Sequence, residues 1–104
     1  MTNSFQNRVA IVTGGASGIG RALCEELARR GSLVVSADID CVGAQAVAAA
    51  ITAKGGRAAA APLDVTRAAD VERLVEDTAR RHGRLDYMFN NAGIGVAGEV
   101  RDLS

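Results

Sequence analysis

Thr13-Gly14-Gly15-Ala16-Ser17-Gly18-Ile19-Gly20 joins a short apolar run, Val9 to Thr13, to an amphipathic stretch that begins at Gly18. A turn this tight at the carboxyl end of a strand needs residues without Cβ at the bend. Where such a loop opens a helix, its backbone N–H groups lie at a helix N-terminus that carries roughly half a positive charge. That combination can hold a pyrophosphate without basic side chains. Gly14, Ala16, Ser17, Gly18 and Ile19 are the candidate contacts, and Gly20 is expected to let the helix pack close against the strand. A tight strand-to-helix turn with no ligand would have the same glycines, so the loop needs support from the rest of the chain.

Three further apolar runs follow: Leu33 to Ala37, Ala58 to Leu63 and Leu85 to Asn90. All four are continuous rather than alternating, the pattern of strands buried on both faces of a parallel sheet. The third is alanine-rich and a weak strand former by itself. Between the runs lie three stretches of helical period. The first, Gly18 to Arg30, puts Ile19, Leu23 and Leu27 on one face; the second, Cys41 to Lys54, carries Val47, Ala50 and Ile51 inward behind Asp40 as N-cap. The third, 67 to 82, has Val71, Leu74, Val75 and Thr78 at i, i+3, i+4 and i+7, with Thr66 as the expected cap. Gly31, Gly55 and Gly83 follow the three helices, as a left-handed C′ position favours. The single proline, Pro62, lies near the end of the third strand and breaks no helix. Right-handed crossovers turn this alternation into a Rossmann-type, doubly wound α/β fold, β-α-β-α-β-α-β, with strand order 3-2-1-4.

Two other glycine motifs fail on spacing. For GxGxxG, a third glycine belongs where Leu23 stands; for a phosphate-binding Walker loop, Gly15 and Gly20 would put Arg21 at the lysine and Ala22 at the metal-ligating hydroxyl. The spacing present is TGxxxGxG. In this loop the chain resembles the short-chain dehydrogenase/reductase family, and the likeness extends over Arg8 to about Ser104, with Asn90-Asn91-Ala92-Gly93 after the fourth run similar to the family's NNAG segment.

The resemblance implies a bound nicotinamide dinucleotide, with residues 1–104 as the cofactor-binding half of the domain. Asp38 closes the second strand eighteen residues after Gly20, where a carboxylate accepts hydrogen bonds from the adenosine ribose hydroxyls and repels a 2′-phosphate. NADP users of the family commonly carry a basic residue just after that strand or just before the second loop glycine. Here those places hold Ile39 and Ser17, so NAD is expected. By resemblance, Asp64 and Val65 border the adenine, Asn91 lies nearest the nicotinamide ribose, and Ala92 and Gly93 allow the backbone to approach. Read without the family, Asp38 is also a solvated strand-end carboxylate, and Asp64 a turn residue preparing the Thr66 cap.

The family's chemistry uses a tyrosine and a lysine with three residues between them, and a serine that holds the substrate oxygen. None can be assigned in this chain. Tyr87 lies within a strand, Lys54 closes a helix far upstream of it, His82 suits a helix C-terminus, and Ser104 comes too early. No catalytic residue is therefore named, and the expected function is the NAD(H)-binding portion of an oxidoreductase that interconverts a hydroxyl and a carbonyl group. A small-molecule substrate would follow only from residues beyond these. A stand-alone, non-catalytic dinucleotide-binding module and an inert fragment stay open; a methyltransferase would make the NNAG segment a coincidence.

Twelve basic residues balance twelve acidic ones, and no like-charge run exceeds a pair such as Arg29-Arg30. That argues against a nucleic-acid or membrane-surface partner. Cys24 and Cys41 match no metal framework, and no metal site is expected. There is no signal-peptide core and nothing near the roughly 20 apolar residues of a membrane span, so a cytoplasmic location with free thiols is expected. The fourth strand would be an open sheet edge, which suggests a homo-oligomer or completion by further chain.

Overall fold

Strand and helix alternate as β1 (Val9–Thr13), α1 (Gly18–Arg29), β2 (Leu33–Asp38), α2 (Cys41–Ala53), β3 (Arg57–Pro62), α3 (Ala68–His82) and β4 (Tyr87–Asn90). The structure, a computed structural model, describes residues 5–91; the expectations for Ala92, Gly93 and Ser104 lie outside the described residues. The four strands are parallel, in the order β3-β2-β1-β4. Val9 stands opposite Leu33, Leu33 opposite Arg57, and Ala10 opposite Tyr87. The alanines of β3 are held as a strand by that ladder, whatever their own preference.

Successive strand residues face opposite sides of the sheet, which gives two apolar layers. On one side Ala10, Val12 and Val34 pack against Cys24, Leu27 and Ala28 of α1 and against Val47 and Ile51 of α2. On the other, Ile11, Val35, Ala37 and Met88 meet Val71, Leu74 and Val75 of α3. Gly31, Gly55 and Gly83 all take positive φ and turn the chain out of the three helices.

Two expectations about the elements are corrected. Thr66 does not cap α3. Its backbone N–H and its hydroxyl both donate to Asp64 Oδ1, at 3.0 and 2.6 Å, so the side chain is already committed. Arg67 occupies the N-cap and makes no side-chain capping bond. Leu85 also falls outside the fourth strand: pairing starts at Tyr87, because the Asp86 N–H donates to the Val9 carbonyl at the entry to the ladder.

Candidate functional site at the carboxyl edge of the sheet

The carboxyl ends of all four parallel strands come to one side, and the loop Gly14–Ser17 leaves β1 there and is tied to the ends of β2 and β4. Gly14 and Gly18 have φ of 68° and 60°, a conformation that side-chain-bearing residues rarely adopt. The Gly15 N–H donates to the Ala37 carbonyl at 3.2 Å and so fastens the loop to the end of β2. Directly below, a Cβ on Gly15 would come within 2.5 Å of Ser36 Oγ and 3.2 Å of Cys24 Sγ. Ser36 and Cys24 are fully buried. Among the described residues Ser36 Oγ is a buried side-chain atom without a well-formed hydrogen bond, since the neighbouring thiol is a weak partner. Burial pushes the Cys24 thiol up to about 12, which makes it inert.

Gly20 is needed for a different contact from the expected one. A Cβ there would fall inside the Gly14 carbonyl and only 2.7 Å from Asn91 Nδ2. The close approach is to the loop and to the end of β4, not to the body of a strand. Asn91 Nδ2 donates to the Gly14 carbonyl at 3.3 Å, and Thr13 Oγ1 donates to the Phe89 carbonyl at the same distance, so β4 supports the loop from its far side.

Asp38 supports it from the other side. Its Oδ2 accepts from the Ala16 N–H at 3.0 Å and its Oδ1 from the Asp40 N–H at 2.9 Å. Asp40 caps α2 as expected, accepting from the Gly43 N–H at 2.9 Å. Gly43 was not among the expected site residues. A Cβ at this position would sit 2.9 Å from the Ala16 Cβ, so its absence lets the first turn of α2 close on the loop. A lone glycine inside a helical pattern is the signal that could have found it.

Asp64 stands at the end of β3, where the Thr66 hydroxyl and N–H hold its carboxyl below the ordinary carboxylate range. Val65 packs against the α3-side core, which leaves its backbone rather than its side chain for any ligand. Among the described residues the large apolar side chains open to solvent are Ile19, Ile39 and Val42, at 61, 73 and 77% exposure, and all three are at this edge. Exposed apolar groups gathered around amides and carboxylates suit a ligand with both ring faces and phosphates.

The structure thus brings together the loop residues, Asp38, Ile39, Asp64, Val65 and Asn91. It keeps Tyr87, Lys54 and His82 apart from them. Tyr87 makes tilted ring contacts with Phe5 and Phe89, with ring centroids 5.3 and 6.1 Å away. Lys54 and His82 are at the C-terminal ends of α2 and α3, at the opposite, amino edge. No helix among the described residues is long and apolar enough to cross a membrane.

Comparison with known proteins agrees with this geometry. The family model described as short chain dehydrogenase matches residues 8–104. Cyclohexanol dehydrogenase of Acinetobacter sp. (strain SE19) is 41% identical over 105 residues, covering 100% of this chain and 42% of that protein. Tropinone reductase-like 1 of Erythroxylum coca is 48% identical over 90 residues, 86% of this chain and 32% of that one. Among solved structures, the hydroxysteroid dehydrogenase from Escherichia coli superposes with a TM-score of 0.83 at 32% identity, covering 88% of this chain and 39% of that one. The chain therefore spans less than half the length of these relatives. On the match over residues 8–104, with the sheet order and loop described above, the chain belongs to the short chain dehydrogenase family.

Proposed function

We propose that this chain is the NAD(H)-holding portion of an oxidoreductase that interconverts a hydroxyl and a carbonyl group, and that residues outside this segment carry the catalysis. A nicotinamide dinucleotide is the family's cofactor; NAD in preference to NADP is our reading of Asp38. The observation that carries it is the convergence on one glycine loop of Asp38 from β2 and Asn91 from the end of β4, with α1 packed against the loop so closely that only glycine fits at position 20.

The residues present fit such a ligand. Gly14, Ala16, Ser17, Gly18 and Ile19 would hold the pyrophosphate by backbone amides at the head of α1. Asp38 would accept the ribose hydroxyls and, as an anion, disfavour a 2′-phosphate. Ile39 and Val65 would flank the adenine with Asp64, while Asn91, Ala92 and Gly93 would border the nicotinamide ribose. Bound NAD supplies a nicotinamide that takes up or gives a hydride. This chain's own residues bind and orient it. The two free thiols, Cys24 and Cys41, suit a reducing cytoplasm. A small-molecule substrate and homo-oligomeric assembly belong to the same proposal.

A second reading is a dinucleotide-binding module without catalysis, favoured by the distance of Tyr87, Lys54 and His82 from the carboxyl edge. Isothermal titration with NAD and NADP tests both. Saturable binding of NAD, with NADP at least about tenfold weaker, is expected, a gap of about 1.4 kcal/mol. Binding with no turnover of any alcohol by the natural protein would select the module. No binding of either nucleotide by folded protein would sink both readings.

A further inference from the structure

Asp38 carries two hydrogen bonds that its expected duty toward a ribose does not need. One carboxylate oxygen, Oδ2, accepts the Ala16 N–H in the middle of the glycine loop. The other, Oδ1, accepts the Asp40 N–H at the entry to α2. Residues 22 apart in sequence are thereby tied by a single side chain. The tie is reinforced on its far side. Asp40 caps α2 through the Gly43 N–H, and the bare Cα of Gly43 lets α2 lie against Ala16. Loop, strand end and helix entry form one unit with Asp38 at its centre.

We propose that Asp38 is a positioning residue for the glycine loop: its two oxygens, each committed to one backbone N–H, set the loop and the head of α2 before any nucleotide arrives. This rests on the reading of the carboxyl edge as a nucleotide site and adds a duty performed without the nucleotide. A carboxylate is the group that suits it. It has two acceptor oxygens with about four lone-pair sites, so each oxygen can hold an amide and still accept a hydroxyl. Asparagine keeps the shape but offers one acceptor and one donor, so one of the two N–H groups would face an NH₂. Specificity and loop geometry are therefore coupled. Removing the charge at position 38 to admit a 2′-phosphate also unties the loop that would hold the pyrophosphate, and NADP gains less than the lost repulsion alone would give.

The test is amide hydrogen exchange by NMR on the protein without nucleotide, for the native sequence, Asp38→Asn and Asp38→Ala. In Asp38→Ala the Ala16 and Asp40 amides are expected to exchange about tenfold faster or more, as the loss of a hydrogen bond to a charged group implies. The Val34 and Val35 amides in the centre of the sheet are expected to stay within about twofold, because an intact sheet needs no signal from the loop. In Asp38→Asn only one of the two amides accelerates. A loss of stability alone would move all the amides together. Unchanged exchange at Ala16 in both variants overturns the proposal, as does a uniform acceleration across the sheet. Nucleotide binding is read separately by calorimetry on the same samples. Weakened NAD binding with unchanged exchange leaves Asp38 as a ribose ligand only and overturns the latch. Accelerated exchange at the two amides in a protein that never binds NAD supports the latch while removing the cofactor reading.

Discussion

Asp86 and Asp38 stand at opposite ends of the sheet and take different kinds of partner. Asp86 lies at the amino edge, its side chain 16% exposed, with both guanidinium bonds of Arg84 at 2.8 Å, Arg8 at 3.4 Å and the Val9 N–H at 2.9 Å. Asp38 at the carboxyl edge has backbone amides for partners. Elsewhere along the amino edge further side chains close the sheet: Arg57 donates to the Gly31 carbonyl at 2.8 Å, Ser32 donates to the Phe5 carbonyl, and Arg30 lies over the Phe5 ring. The carboxyl edge is built instead from glycines and from the side chains of Asp38, Asn91 and Thr13, each bonded to main-chain groups. Charge matched by charge fastens strands together and satisfies itself. A carboxylate matched by amides keeps spare lone pairs, which is what a ligand needs. One edge holds the fold, and the other is left with unspent chemistry.

The sharpest way to break that division is Gly20→Ala. The new Cβ collides with the Gly14 carbonyl, a backbone atom that cannot swing aside, so the loop must move. NAD affinity is expected to fall about a hundredfold, roughly 2.7 kcal/mol, measured by calorimetry. Asp86→Ala should do the reverse. Losing the arginine bonds and leaving the Val9 N–H unpaired should cost about 2 kcal/mol of stability in urea unfolding, while NAD binding by the folded fraction stays within about twofold. If Asp86→Ala abolished binding in folded protein, the separation of the two edges would be wrong.

The pH profile sharpens the comparison further. The Arg84 hydrogen bonds, chiefly, hold the Asp86 carboxyl below its ordinary value of 3.8. A carboxyl lowered in the folded state contributes stability that is fully present above the unfolded value and disappears as pH falls through the folded one. Stability should therefore drop as pH descends below about 3.8, and Asp86→Asn should flatten that drop in acid unfolding curves. The smallest expected effect is at Ser36. Replacing a buried hydroxyl that lacks a good partner by alanine should raise stability by about 0.5 kcal/mol. It should also soften the cost of Gly15→Ala, whose Cβ would otherwise strike Ser36 Oγ. Additive effects in the double variant would show that the hydroxyl is not the obstacle.

Part of the carboxyl edge was legible from local chemistry: the loop needs glycines where φ is positive, as at Gly14 and Gly18, and the Asp38 carboxylate falls at a strand end. Asn91, Asp64 and Val65 came from the family resemblance. The strand order followed from alternation and handedness. What could not be read depends on partners distant in sequence. Nothing near Ala16 announces that its amide belongs to Asp38, and the purpose of Gly20 appears only when Gly14 and Asn91 are adjacent. Thr66 shows a different failure. The capping rule assumes a free hydroxyl, and Asp64, two residues earlier, had already taken it. β3 is the converse case, since its alanines give little strand signal and owe their form to pairing with β2.

The most direct measurement is an NMR titration of isotopically labelled protein with NAD, following every backbone amide. Shifts concentrated at Gly14–Gly20, Asp38–Asp40, Asp64–Val65 and Asn91, with Arg8, Gly31 and Asp86 unmoved, are what the division between the two edges predicts. Shifts centred on the amino edge, or none at all in a folded protein, would contradict it.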